Sequence, residues 1–346
     1  MSVGFRAVQW NRSKLIYDGI LLAAVALYLG IFLTVAYQID PPKDFPAAID
    51  LRIRAFGSCA FVMLTVILVI GPLARLDRRF LPLLYNRRHF GVLTFIVAAL
   101  HVWFMLEWYA VQNTLPNLAA ELTTWADYGK FIGFPFKVLG IAALLILFVM
   151  AATSHDFWLS VLAPGVWKGL HMAVYGAYGL VAMHVALGIM QYERTWLIPA
   201  MLLGGFGTVT ALHFLAGWRE RKGDEGDGAG NDGWLVVGPV ASIPDKGARI
   251  VSVRGGERIA VFRDGAQIGA LSNLCAHQHG PLGEGRIIDG CVTCPWHGYQ
   301  YRLADGCAPA PFTEKLATYR LRVKAGIVEV NPDALPPGTP AAIIAG

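Results

Sequence analysis

The sequence predicts a two-domain membrane protein: a six-helix, all-α transmembrane bundle followed by a small all-β domain. Three observations lead there. The chain has 346 residues, of which 55% are hydrophobic and only 15% charged. Ordinary soluble domains carry about 25% charged residues, so much of this chain belongs in lipid. Long apolar runs fill residues 1–216, whereas short β-branched runs separated by Gly, Asp and Pro fill the remainder. The charge divides the same way: residues 1–216 hold 15 Lys/Arg and 10 Asp/Glu, while residues 217–346 hold 14 of each. The formal net charge of +5 therefore sits in the apolar part. It indicates topology and contact with membrane lipid and excludes a nucleic-acid binder, since no basic stripe lies on a soluble element.

Six apolar stretches can cross a hydrocarbon core of roughly 30 Å at about 1.5 Å per residue. They run over 16–37, 55–73, 89–109, 132–152, 169–190 and 196–216. The first lacks a small-x-small cleavage site behind it and is expected to stay as an anchor. The prolines of the 38–54 segment break any continuous helix between the first two. Loop 74–88 carries Arg75, Arg78, Arg79, Arg87 and Arg88, and Arg219, Arg221 and Lys222 follow the last span. Loops 110–131 and 191–195 lack such an excess. This asymmetry places both termini on the cytoplasmic side of a multi-pass inner (cytoplasmic) membrane protein, with Arg52 and Arg54 as a small exception.

In that topology the third and fifth spans run parallel. His101 and His184 lie in their outer halves, and His89 and His171 at their inner ends. Two imidazoles at equal depth on neighbouring helices are what a six-coordinate haem requires, and two such levels would form an electron ladder. The competing reading is a histidine that hydrogen-bonds between helices. His89 is poorly phased with His101, about 120° around the helix. His155 and His213 are alternative inner-level ligands. Cys59 reads as a small apolar filler.

Residues 86–101 (NRRHFGVLTFIVAALH) and 152–184 (ATSHDFWLSVLAPGVWKGLHMAVYGAYGLVAMH) resemble the ferric reductase-like transmembrane domain. That superfamily includes ferric reductases, NADPH oxidases and the haem-binding subunit of methionine sulfoxide reductase. The resemblance covers roughly 15–216 and implies haem b, one or two per chain, bound by His171, His184 and His101. The oxidase members place a second third-span histidine where this chain has Arg87, with His89 nearby, so the ligand of an inner haem stays open.

Residues 217–233 are charged and Gly-rich and are expected to be a flexible tether. From Trp234 to 332 the runs WLVVGPV, RIVSV, RIAVFRD, QIGALSN, YRLRVK and IVEV predict a small sandwich or barrel, with residues 333–346 as a tail. Within it stand Cys275-Ala-His277 and Cys294-Pro-Trp-His297. Two Cys/His pairs suit zinc as a donor set. They also suit a Rieske [2Fe-2S] cluster, which takes two cysteines on one iron and two histidines on the other. CAHQHGPL and CPWHGYQY resemble the Rieske loops of the ferredoxin and ring-hydroxylating oxygenase type. The resemblance implies Cys275 and Cys294 on the buried iron and His277 and His297 on the outer one. The disulfide cysteines of the quinol-oxidising type are missing, and Tyr299 stands where that type has serine. Tyr301 is kept. Cys291 and Cys307 are expected to be buried small residues, and His279 to face solvent.

These features predict transmembrane electron transfer by a component with no nicotinamide site of its own, since no GxGxxG fingerprint or P-loop occurs. The donor would be a cytoplasmic ferredoxin or flavoprotein reductase, and the acceptor a quinone, a metal or a protein. The reverse flow, quinol oxidation feeding a cytoplasmic oxygenase, uses the same centres. A redox sensor or an assembly subunit is the non-enzymatic alternative.

Overall fold

The computed structural model describes residues 12–345, apart from 85, 155–157, 159–161, 163, 193–195, 227–232, 254–255, 278–279, 296–297, 311 and 342–343. Its helices are α1 (Arg12–Ile39), α2 (Phe45–Leu76), α3 (Leu81–Leu84), α4 (Arg87–Val111), α5 (Leu115–Thr123), α6 (Lys137–Ala152), α7 (Pro164–Met172), α8 (Val174–Leu187), α9 (Ile189–Tyr192) and α10 (Leu197–Gly226).

Among the described residues five helical segments are long and apolar enough to span a membrane: Lys14–Ile39, Phe45–Leu76, Arg87–Val111, Gly169–Tyr192 and Leu197–Arg219. The sixth expected span is shorter. Helix α6 has 16 residues, about 24 Å of helix. Gly133, with φ +83°, and Pro135 delay its start, because the first cannot sit in a right-handed helix and the second donates no N–H. Helix α2 departs in the other direction and begins ten residues before the expected 55. Asp44 caps it by accepting from the Ala47 N–H at 2.8 Å, and Pro46 sits in its first turn. Both are good helix starts.

Helix α2 is the centre of the bundle. One face meets α1 and α4 through Cys59, Met63, Ile70, Ala74, Phe90 and Val97. The other meets α6, α8 and α10 through Phe61, Leu64, Ala143, Ala177, Tyr178 and Leu202. Cys59 is thus the buried filler expected of it. Thr65 Oγ1 lies 3.0 Å from the Tyr178 hydroxyl and donates to the Phe61 carbonyl, which satisfies the polar atoms inside the apolar bundle.

Helix α10 continues past its apolar part to Gly226, so the first ten residues of the expected tether are helical. Two causes are visible. Arg, Glu and Lys of the WRERK run are good helix formers, and Arg219 Nη1 donates to the Leu76 carbonyl at 2.8 Å, tying α10 to the end of α2.

Among its described residues the C-terminal domain has eleven strands: β1 (Leu235–Pro239), β2 (Ala248–Val251), β3 (Ile259–Asp264), β4 (Gln267–Ser272), β5 (Arg286–Ile288), β6 (Cys291–Thr293), β7 (Gln300–Arg302), β8 (Thr318–Tyr319), β9 (Leu321–Lys324), β10 (Ile327–Val330) and β11 (Ile344–Ala345). They form three antiparallel sheets ordered β1-β10-β9, β11-β4-β3-β2 with β8 also on β4, and β5-β6-β7. Strands β3 and β4 are buried on both faces: Phe262 and Leu271 point to one core, Val261 and Ala270 to the other. The expected tail is part of this domain. Strand β11 pairs with β4, Gly338 N–H donates to the Leu316 carbonyl, and Thr318 Oγ1 donates to the Thr339 carbonyl.

Phe262 is fully buried in the core that also holds Cys275 and Cys294. Phe262→Ala is expected to destabilise the domain by about 3–5 kcal/mol. A urea titration of residues 232–346 measures this; an unchanged midpoint would show that this core does not carry the fold.

Candidate redox centres

Helix α4 carries His101 and α8 carries His184, and the bundle brings the two rings together. Their centroids are 6.4 Å apart and their planes cross at 88°. His101 Nδ1 lies 2.9 Å from the Ile53 carbonyl oxygen, and His184 Nδ1 lies 2.9 Å from the Phe136 carbonyl oxygen. A carbonyl oxygen only accepts, so each Nδ1 carries the proton and each Nε2 is left as the electron-pair donor. A metal–imidazole bond of about 2.0 Å on each side, plus about 1.1 Å from nitrogen to ring centre, would separate the centroids by about 6.2 Å. The observed spacing fits one iron held between the two rings. Backbone carbonyls on the outer nitrogens are also the usual support of a metal-bound histidine.

At the inner level the four candidates separate. His171 Nδ1 donates to the Trp167 carbonyl one turn earlier at 3.0 Å, its ring stacks on Trp167 at 3.8 Å, and its Nε2 is 3.5 Å from Ser154 Oγ. His89 Nδ1 donates to Asp18 Oδ2 at 2.7 Å, and Asn86 Nδ2 holds the other oxygen of that carboxylate at 2.5 Å. Both therefore direct Nε2 away from their supporting oxygen, as ligands do. His213 uses both nitrogens within the protein, donating to the Val209 carbonyl at 2.8 Å and accepting from the Tyr175 hydroxyl at 2.9 Å. His155 lies outside the described residues. Arg88 Nη2 donates to the carbonyl of Ser154, the residue whose hydroxyl lies by His171 Nε2.

Sequence reasoning missed Asp18. Its signal was available: an acidic residue inside an apolar span is expensive unless partnered, and it is the only one in α1.

The second candidate centre lies on two loops of the β-domain. The first leaves β4, and its Cys275 N–H donates to the Gly280 carbonyl at 2.9 Å. Asn273 holds its far end, accepting from Gly283 N–H through Oδ1 at 2.7 Å. The second follows β6: Cys294 N–H donates to the Tyr299 carbonyl, and Gly298, with φ +68°, turns the chain back. Cys275 and Cys294 are 1% exposed in one apolar core. Tyr301 is buried in the same core, its hydroxyl 3.3 Å from Cys275 Sγ. The half-buried His277 stacks on Tyr299 with centroids 4.6 Å apart. Tyr299 turns its hydroxyl to Glu314. Burial first, and then Glu314 for Tyr299 or Cys275 for Tyr301, push both phenols above their ordinary range, so both stay protonated donors.

His297 and His279 lie outside the described residues. Among the described residues no three His, Cys, Asp or Glu side chains converge on one point. The donor chemistry nonetheless fits a mixed thiolate and imidazole site with buried sulfurs. Cys291 is buried and Cys307 half-buried, and neither they nor the other described cysteines form a disulfide.

Hydrogen bonds to a cluster's sulfurs stabilise its reduced form. Tyr301→Phe should therefore lower the cluster midpoint by tens of millivolts, since one bond is worth about 1 kcal/mol and 59 mV is tenfold for one electron. Protein-film voltammetry reads this; an unchanged midpoint would remove Tyr301 from the site.

Comparison with known proteins agrees with this division. Residues 233–320 match the Rieske [2Fe-2S] domain and residues 56–182 the ferric reductase like transmembrane component. The anthranilate 1,2-dioxygenase ferredoxin subunit of Burkholderia cepacia is 44% identical over 23% of this chain and 74% of its own length. The protein-methionine-sulfoxide reductase heme-binding subunit of Brucella ovis is 28% identical over 57% of this chain and 80% of its own. A ferredoxin solved in complex with its oxygenase, from carbazole 1,9a-dioxygenase, is 30% identical over 31% of this chain and 99% of its own, with a TM-score of 0.29. The chain thus belongs to the Rieske [2Fe-2S] family through its C-terminal part, and its residues 56–182 are similar to the ferric reductase like transmembrane component.

Proposed function

We propose that this multi-pass membrane protein passes single electrons between a cytoplasmic redox partner and an acceptor in or beyond the membrane. The route is a Rieske cluster held by Cys275, His277, Cys294 and His297, followed by b-type haem held by His101 and His184. The observation that carries this reading is the His101–His184 pair, whose spacing and protonated Nδ1 atoms leave two Nε2 donors for one iron. The similarity to a heme-binding reductase subunit supports the haem, and the ferredoxin similarity supports a one-electron carrier. When bound, both groups supply one-electron chemistry; the protein positions them and sets their potentials.

A second haem is part of the proposal. His89 and His171 both have Nδ1 engaged, and Arg88, which donates to the Ser154 carbonyl near His171, would meet a propionate. The arginine-rich 74–88 loop supports a cytoplasmic position for the termini and the cluster domain in an inner membrane. From Gly226 to Leu235 the chain can reach at most about 32 Å, which keeps the cluster near the end of α10. The ferredoxin likeness also favours the reverse flow, from membrane quinol to a cytoplasmic oxygenase, through the same centres.

Stopped-flow spectroscopy of flavin-free protein tests the proposal. Reduced ferredoxin or flavoprotein reductase should reduce the haem rapidly, and NAD(P)H alone should not. Cys294→Ala should slow haem reduction by at least tenfold, and His184→Ala should remove the b-type α-band. Equal rates in parent and Cys294→Ala would place the cluster off the path, and full haem retention in His184→Ala would refute the ligand assignment.

A further inference from the structure

The two outer histidines are seated by the same device, built twice. His101 of α4 lies against Gly57 of α2, and a Cβ placed on Gly57 would stand 2.9 Å from His101 Nδ1. His184 of α8 lies against Gly140 of α6, and a Cβ on Gly140 would stand 2.9 Å from His184 Nδ1. In each case the carbonyl that accepts from Nδ1 belongs to the residue one turn before the glycine, Ile53 or Phe136. The separation in sequence between acceptor and histidine is 48 residues both times. Ile53, Gly57 and His101 thus have counterparts in Phe136, Gly140 and His184 at one constant offset along the chain.

The geometry explains why each part is needed. Such a carbonyl already accepts one backbone N–H, four residues on inside a helix such as α2 and, for Phe136 at the start of α6, that of Leu139 at 3.1 Å. Its second lone pair can take another donor only where no side chain covers it. Glycine at that next position uncovers it and lets the imidazole come down onto the backbone. An alanine there would push the ring off the carbonyl, because real Cβ atoms do not approach so closely. Glycine inside a helix costs roughly 0.5–1 kcal/mol relative to alanine, so a packing reason is called for at both places.

We infer that Gly57 and Gly140, with the Ile53 and Phe136 carbonyls, are twin positioning elements that fix the tautomer and ring orientation of His101 and His184 toward the haem iron. This rests on the haem reading proposed above. The two receptacles hold the rings at 88° to one another. Crossed ligand planes leave two iron d orbitals nearly equal in energy, which gives a ferric signal dominated by one large g value. Removing the Nδ1–H···O bond makes an imidazole a weaker donor and so raises the haem potential.

The test uses the full-length protein carrying Gly57→Ala or Gly140→Ala. Gly179→Ala is the control, on the same helix as His184 but facing open space. Haem per chain, the low-spin ferric EPR signal and the midpoint potential are measured. The control should match the parent. Each receptacle variant should bind haem about tenfold more weakly, and the haem it keeps should have a changed g-anisotropy and a higher potential. Parent-like haem content, EPR and potential in both variants would overturn the inference. The parent alone provides a check that does not depend on a folded variant: its outer haem must give the strongly anisotropic signal, and a rhombic signal of near-parallel planes would also overturn it. Absence of any bis-histidine haem in the parent would instead sink the haem reading itself.

Discussion

An N–H inside a membrane must find an acceptor in the protein, and this constraint organises the helical half. Water is absent there, so each imidazole Nδ1–H of the outer pair turns to the backbone of a neighbouring helix. The Ile53 and Phe136 carbonyls accept. That choice brings α4 close to α2 and α8 close to α6, and it leaves each Nε2 as the electron-pair donor. Helix α2, buried on two faces, is the common reference against which these elements are set. The inner level uses a different acceptor chemistry. His89 is supported by the Asp18 carboxylate and His171 by a carbonyl of its own helix. A carboxylate makes its histidine a stronger donor than a neutral carbonyl does, so ligands of the two levels would not be equivalent.

The β-domain solves the corresponding problem for sulfur. Two loops, each closed by its own backbone hydrogen bonds, carry Cys275 and Cys294 into an apolar core. Tyr299 and Tyr301 complete that core with rings and place one hydroxyl on sulfur and the other on Glu314. Burial of the cysteines with a half-buried His277 gives the site an inside and an outside. Such polarity suits a centre that exchanges electrons at one edge.

Much of this was legible in the sequence. Apolar runs located the membrane half, and the matched depths of His101 and His184 pointed to the pair that the structure brings to 6.4 Å. Short β-branched runs and two Cys/His loops located the second domain. Four kinds of feature were not legible. Helix lengths depend on caps and backbone angles, so Asp44 lengthened α2 and Gly133 with Pro135 shortened α6. Composition made residues 217–226 look unstructured, yet Arg219 anchors them as helix. Strand β11 reads as tail because a two-residue strand has no periodicity to detect. The partners of the histidines were hidden for another reason. Gly57 and Gly140 look like any membrane glycines until the rings that need the space are known. Their equal spacing from the two histidines is present in the sequence but has meaning only once the contacts are seen.

Electron passage through the whole chain, from cluster side to haem side, is the central claim. The most direct measurement uses sealed vesicles holding the purified protein, with membrane-impermeant ferricyanide trapped inside and reduced ferredoxin supplied outside to outward-facing cluster domains. The trapped ferricyanide should bleach, at a rate proportional to the haem-loaded protein. Full reduction of cluster and haem with no bleaching inside, while detergent-solubilised protein reduces ferricyanide freely, would contradict it.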